Sequence, residues 1–174
     1  MRFSAAVLLL LSLGCDGGLQ PATTPTSCPA GICGVVQFRG VLPDSTDYVR
    51  VVVYRTIPDS LGQVIAFAGF SDPLPQGPDS ARYSCCITPL APGAYAWVLV
   101  VWKKLGVLDV NSAPALLRAA GSYLDPADTT RFGTVIVPGG GGAGNVNIVA
   151  DFGRLQSISD FFPPAPPPPS PAAR

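Results

Sequence analysis

PGAYAWVLVVWKK, residues 92–104, is the longest apolar and β-branched run in the chain outside its first 14 positions. Pro92-Gly93 is turn chemistry, because proline presets φ and glycine accepts a positive one. A strand is expected to begin at Ala94. Beyond it both alternating sets are apolar, Tyr95, Trp97, Leu99 and Val101 on one face and Ala96, Val98, Val100 and Trp102 on the other. Both faces therefore need cover, as in the central strand of a sheet. The run is too short to cross a membrane as a helix, and its aromatic and β-branched content favours a strand.

Composition points the same way. The 174 residues include 19 glycines and 20 prolines, well above ordinary usage and suited to an all-β domain with many turns. Eleven basic and 11 acidic residues cancel, and no basic cluster exceeds Lys103-Lys104, so no nucleic-acid footprint is present. The acidic residues are all aspartates, and histidine is absent. That removes the commonest general base and the commonest zinc ligand, so an enzyme is not expected, nor is a cofactor.

Residues 1–14, MRFSAAVLLLLSLG, have a basic start, an apolar stretch and a small residue before Cys15, the pattern of a secretion signal. The sequence Leu11-Ser12-Leu13-Gly14-Cys15 resembles the lipobox of bacterial lipoproteins, with Ser12 departing from the usual leucine. The resemblance implies that Cys15 is lipidated and becomes the new N-terminus. Paired acyl chains then hold the protein on a membrane, exported and facing the periplasm or the cell surface. Residues 15–33 read as a Gly-, Pro-, Thr- and Ser-punctuated tether. Residues 34–155 read as one domain. Residues 156–174 read as a disordered proline-rich tail, extended as polyproline II where proline follows proline, with a ligand for a proline-binding groove as the alternative.

Within the domain, alternation predicts strands over 35–42, 48–55, 63–68, 82–88, the central run, 131–137 and 145–152. Ser112 is placed to cap a short helix over 114–120 that ends at Gly121. Seven strands and one helix after the fifth make a sandwich pattern.

Leu90-Ala91-Pro92-Gly93-Ala94-Tyr95 is similar to the L-x-P-G-x-Y turn of small carboxypeptidase-regulatory-like and transthyretin-like (prealbumin-like) β-sandwich modules. The resemblance implies a Greek-key sandwich with the first, fourth and seventh strands in one sheet and the second, third and fifth in the other. It brings no catalytic residues. The outward positions sort accordingly: Gln37, Arg39, Asn145, Asn147 and Asp151 are polar, whereas Val52, Tyr54, Val64, Ala66, Val98, Val100 and Trp102 are not. One sheet is wet and the other needs cover. Leu116, Leu117 and Ala120 of the expected helix have the spacing to supply it.

Cys28, Cys33, Cys85 and Cys86 are an even set in an exported chain, which reads as disulfides. Adjacent strand residues point to opposite faces, so an 85–86 bond is disfavoured and two long-range bonds from residues 28 and 33 are expected. A four-thiolate metal site and a redox pair are the alternatives. Pro138 to Gly144, PGGGGAG, lacks the Lys-Ser/Thr and the following helix of a phosphate loop and reads as a hairpin loop. Asp125, Asp128 and Thr129 match no calcium loop and read as turn residues. The expected function is that of a lipid-anchored structural or binding module of the cell envelope, partnered by an envelope protein. The alternative is a carbohydrate or envelope-polymer binder that uses Tyr54, Val98, Val100 and Trp102 as an exposed face.

Overall fold

The structure, a computed structural model, describes residues 28–162. The expected leader, Cys15, most of the tether and the proline-rich stretch from 163 onward lie outside the described residues. In chain order the elements are β1 (Gly31–Arg39), β2 (Thr46–Tyr54), α1 (Leu61–Val64), β3 (Gly69–Phe70), β4 (Arg82–Ile87), β5 (Gly93–Tyr95), β6 (Trp97–Lys104) and α2 (Ala113–Leu116). There follow β7 (Leu117–Ser122), β8 (Leu124–Asp125), β9 (Asp128–Phe132), β10 (Val135–Val137), β11 (Gly142–Ala143), β12 (Ile148–Asp151) and β13 (Gln156–Ser157), with 3₁₀ turns at Phe152–Arg154 and Ile158–Phe161.

Two main sheets carry the fold. In one, β1 pairs antiparallel with β4 and parallel with β11 and β12; the other runs β13-β7-β6-β2-β3. Both are open, and their inner faces share one apolar core. Ile32, Val36, Phe38, Ile148 and Ala150 come from the first sheet, and Val49, Val51, Val53, Val98, Val100 and Trp102 from the second. This is the layering of an all-β sandwich. The alternation in β2 explains its placement, since Val49, Val51 and Val53 face this core while Val52 and Tyr54 face out. The first, fourth and last of the expected strands fall in one sheet, and the second and fifth in the other.

The central run differs from its expected phase. Tyr95 ends β5, which pairs with β10, and the chain then bends at Ala96 and enters β6, between β2 and β7. The bend removes one step of alternation, so Tyr95 and Val98 both face the inter-sheet core. That core takes Val98, Val100 and Trp102, and the outer face takes Trp97, Leu99 and Val101, the reverse of the expected assignment. Both faces are buried, as a central strand requires.

The outer face gets its cover from an unexpected source. The expected helix keeps one turn, α2, after which Leu117–Ser122 pairs with β6 as β7. Leu-Arg-Ala-Ala is helix-favouring sequence, but pairing satisfies the open backbone edge of β6, and tertiary context overrides propensity. Leu117 and Ala119 accordingly belong to the outer cluster and Ala120 to the inter-sheet core. Cover comes instead from Val64 of α1, Ala113 of α2, Phe132 of β9, and Ile158, Phe161 and Phe162 at the C-terminal end. The expected strand over 63–68 is a turn for the same reason: it folds back so that Val64 caps the outer face, and Tyr54 Oη donates to the Val64 carbonyl at 2.5 Å. Strand pairing with β2 resumes only at β3.

The ordered fold therefore passes both expected domain edges. Gly31, Ile32 and Cys33, assigned to the tether, are the buried start of β1. Ile158, assigned to the tail, is 2% exposed, and Ser157 and Asp160 cap its turn reciprocally.

Candidate functional site

The face expected to bind a ligand is not available. Val98 and Val100 are fully buried, Trp102 is 6% exposed and donates its indole N–H to Thr46 Oγ1 at 2.7 Å, and Tyr54 is 3% exposed on the opposite face of the sheet. The phase change at Ala96 separates Tyr54 from the other three, and the C-terminal segment closes the face that it occupies.

A wide concavity lies where one sheet meets the other, along β12 and β7, and has a volume of about 680 Å³. Gly121 makes it: a Cβ there would come within 2.0 Å of the Val149 carbonyl, so only glycine lets β7 approach β12 this closely. One wall is polar. Arg39, Asn147 and Asp151 project from β1 and the β12 segment, Arg154 from the turn after it and Gln156 from β13. The other wall is aromatic. Tyr123 lies on the backbone of Gly133, where a Cβ would meet its ring at 2.5 Å, and Gly133 N–H donates to the Tyr123 carbonyl at 3.0 Å. Phe132 and Phe161 meet edge to face at 5.7 Å and both rest on Trp97, at 5.7 and 5.3 Å. Tyr123, Phe132 and Phe161 line the groove and are half-buried.

Some polar groups there are already engaged. Asn147 Oδ1 accepts from Val35 N–H at 2.9 Å, and Asp151 Oδ1 accepts from Gly153 N–H at 3.0 Å. Asp125, which also lines the groove, accepts from Ala127 N–H at 2.9 Å. Two arginines and two aspartates balance the charge of the groove. Asp128 is a turn residue too: its carboxylate accepts from the Thr130 hydroxyl at 2.6 Å and from Thr130 N–H, and these bonds hold its pKa below the usual range. Among the described residues, no group of three or more Cys, Asp, Glu or His side chains is placed to hold a metal ion.

The cysteines pair differently from expectation. Cys28 and Cys33 are joined to each other, with Cα atoms 5.5 Å apart, and Cys85 and Cys86 are free thiols. Cys85 packs against the inter-sheet core, where burial pushes its thiol pKa up, whereas Cys86 is exposed on the outer face. The local bond is possible because Gly142 of the glycine loop runs beside it: a Cβ at 142 would meet Cys28 Sγ at 2.6 Å. PGGGGAG thus serves as a packing surface for the disulfide, with Gly142–Ala143 paired to the start of β1.

No family model, curated protein or solved structure matches the chain.

The groove was only partly visible in the sequence. Arg39, Asn147 and Asp151 are among the outward polar positions of the wet sheet, but Tyr123, Phe132 and Phe161 gave no pattern of their own. The Phe161-Phe162 pair ahead of the prolines was the available signal, since two adjacent phenylalanines at the end of a domain seek cover.

Proposed function

We propose that the chain is an exported, lipid-anchored protein of the cell envelope whose β-sandwich is a non-catalytic binding module, and that a carbohydrate or similar polar envelope polymer binds in the groove between β7 and β12. The groove carries this reading. A sugar presents an apolar C–H face and a rim of hydroxyls. The half-buried rings of Tyr123, Phe132 and Phe161 suit the first, and the Arg39 and Arg154 guanidiniums with the Gln156 amide suit the second. A volume of about 680 Å³ is within the range of roughly 300–1,000 Å³ usual for ligand sites.

Binding is favoured over turnover because the chain has no histidine and because Asp125 and Asp151 each spend a carboxylate oxygen on a backbone N–H two residues on. Anchoring rests on the leader and the Gly14-Cys15 junction. The transthyretin-like Greek-key topology is part of the proposal. It is supported by the grouping of β1, β4 and β12 in one sheet and by the turn that ends in Tyr95.

A polysaccharide pull-down and a glycan array test the reading, comparing the wild type with an Arg39→Ala, Arg154→Ala double variant. Both positions are exposed, so the fold is expected to survive. Retention of an envelope polysaccharide by the wild type and its loss in the variant, at unchanged thermal stability, is the expected result. A wild type that retains no polymer overturns the reading. Release of reducing ends that depends on Asp125 or Asp151 would replace binding by hydrolysis.

A further inference from the structure

Three of the cysteines meet on the outer face of the sheet built on β1. Cys28 and Cys33 share a disulfide, and Cys86 stands directly opposite Cys33 in the antiparallel ladder of β1 and β4. Directly opposed residues send their side chains to the same face. The hydrogen bonds nearby identify the kind of pair. The Cys33 carbonyl accepts from Val146 N–H at 3.1 Å, and Val35 N–H donates to Asn147 Oδ1 at 2.9 Å, both on the β12 side of β1. Phe38, of the opposite parity, donates to the Ala81 carbonyl and accepts from Ser80 N–H on the β4 side. The register is unbroken from Ile32 to Gln37. Cys33 and Cys86 therefore form a non-hydrogen-bonded pair, the closer of the two kinds, with Cα atoms about 4.5 Å apart. A disulfide spans Cα separations of about 4.4 to 6.8 Å, so this pair is within bonding reach.

We infer that Cys86 is the exchange partner of the Cys28–Cys33 disulfide, which gives the protein a second covalent form joined through Cys33 and Cys86. The Cys86 thiolate attacks Cys33 Sγ. The Cys33–Cys86 bond forms as the Cys28–Cys33 bond breaks, and Cys28 leaves as the thiolate. One disulfide is present before and after, so no electrons are gained or lost. Cys86 gives its proton to water, and Cys28 takes one up.

The geometry sets the direction of attack. Attack on Cys28 Sγ would expel Cys33, which is 1% exposed, and would leave a thiolate in a buried place. Cys28 is half-buried beside the exposed Pro29 and Ala30, where a leaving thiolate meets water. Cys85 takes no part, because it points into the inter-sheet core. Exchange moves the covalent tie from a five-residue separation to one across two strands, and it hands a free thiol to the chain ahead of the sandwich. A mixed disulfide with a partner thiol would form at Cys28 in that state.

The full chain, held without reductant near neutral pH and then at about pH 8, is quenched with acid, blocked with N-ethylmaleimide in denaturant and mapped by non-reducing peptide analysis. The expected result is two isomers, one bridged 28–33 with Cys86 blocked and one bridged 33–86 with Cys28 blocked, and only the first in Cys86→Ser. In Cys28→Ser, equimolar glutathione disulfide is expected to install the 33–86 bond in the folded protein. A wild type that holds only the 28–33 bond, bridges that include Cys85, or a folded Cys28→Ser chain that forms no 33–86 bond would overturn the inference.

Discussion

The Tyr95 hydroxyl donates to the carbonyl of Ala91 at 2.6 Å and closes the Pro92-Gly93 turn onto the sandwich. Arg55 holds the same turn from outside. Its guanidinium lies 4.6 Å above the Tyr95 ring, and it donates to Tyr95 Oη at 3.2 Å and to the carbonyls of Ala91 and Pro92. Gly93 is favoured by its φ of +128°, which is costly for other residues, and a Cβ there would also push aside Arg55 Nη1, the mobile end of the guanidinium. The turn that opens the central run is therefore clamped by two side chains, Tyr95 and Arg55, around a glycine. Tyr95→Phe is expected to cost about 1 kcal/mol, for the hydrogen bond from its hydroxyl to Ala91, whose carbonyl keeps the Arg55 donor. Gly93→Ala is expected to cost about 1–3 kcal/mol. Urea unfolding measures both, and a wild-type midpoint for Gly93→Ala would show that the clamp does not hold the turn.

Trp102 supports the second prediction. It lies in the inter-sheet core, with its indole N–H on Thr46, which in turn donates to the Pro43 carbonyl at 2.5 Å. Trp102→Ser empties a ring-sized volume and leaves a polar residue in it, so a loss of about 3–5 kcal/mol is expected. Trp102→Phe keeps most of the packing and loses only the indole hydrogen bond to Thr46, whose hydroxyl still donates to Pro43, for about 1 kcal/mol. A Trp102→Ser protein of nearly wild-type stability would contradict the core position of this side chain.

These two sites show what could be read from residues alone. The alternation of Val49, Val51 and Val53, and the doubly apolar run from Trp97 to Trp102, were legible because strand periodicity is local. The inversion of the central run was not legible, because it depends on one bend at Ala96, where the chain changes sheets. The helix expected over 114–120 failed at Leu117 because an open edge of β6 outweighed the local preference of Leu-Arg-Ala-Ala. The disulfide pattern failed because a bond between positions five apart depends on the close approach of Gly142, more than a hundred residues away. The groove assembles from four separate segments, and a spacing rule does not reach across them.

Cys15 lies outside the described residues, so its prediction rests on the leader alone. An apolar stretch ending in Gly14-Cys15 is expected to be processed with acylation of the cysteine sulfur. Metabolic labelling with a clickable fatty-acid analogue should mark the wild type and move it into the membrane fraction, where two acyl chains give stable anchoring. Cys15→Ser should lose the label. Equal labelling of the two proteins would remove the anchor from the proposal.

Tyr54 gives the fold a dependence on alkaline pH. Its hydroxyl is buried between β2 and α1 and donates to the Val64 carbonyl, and burial, which disfavours the phenolate, raises its pKa well above the ordinary value. In the unfolded chain tyrosine ionises near pH 10. The folded protein then binds a proton that the unfolded one has released, so the stabilisation is complete below about pH 10 and declines as pH rises toward the higher folded value. The slope is about 1.4 kcal/mol per pH unit for one such group. Tyr54→Phe removes both the slope and the hydrogen bond. It should be less stable than wild type at pH 7 by about 1 kcal/mol, and the gap should narrow and then reverse as the pH passes 10. Other titrations, including those of the lysines, are common to both proteins and cancel in the comparison. Parallel urea curves for wild type and Tyr54→Phe at steps from pH 8 to about pH 11 decide it, and a difference that stays constant across that window would mean that Tyr54 ionises as freely in the folded protein as in the unfolded chain.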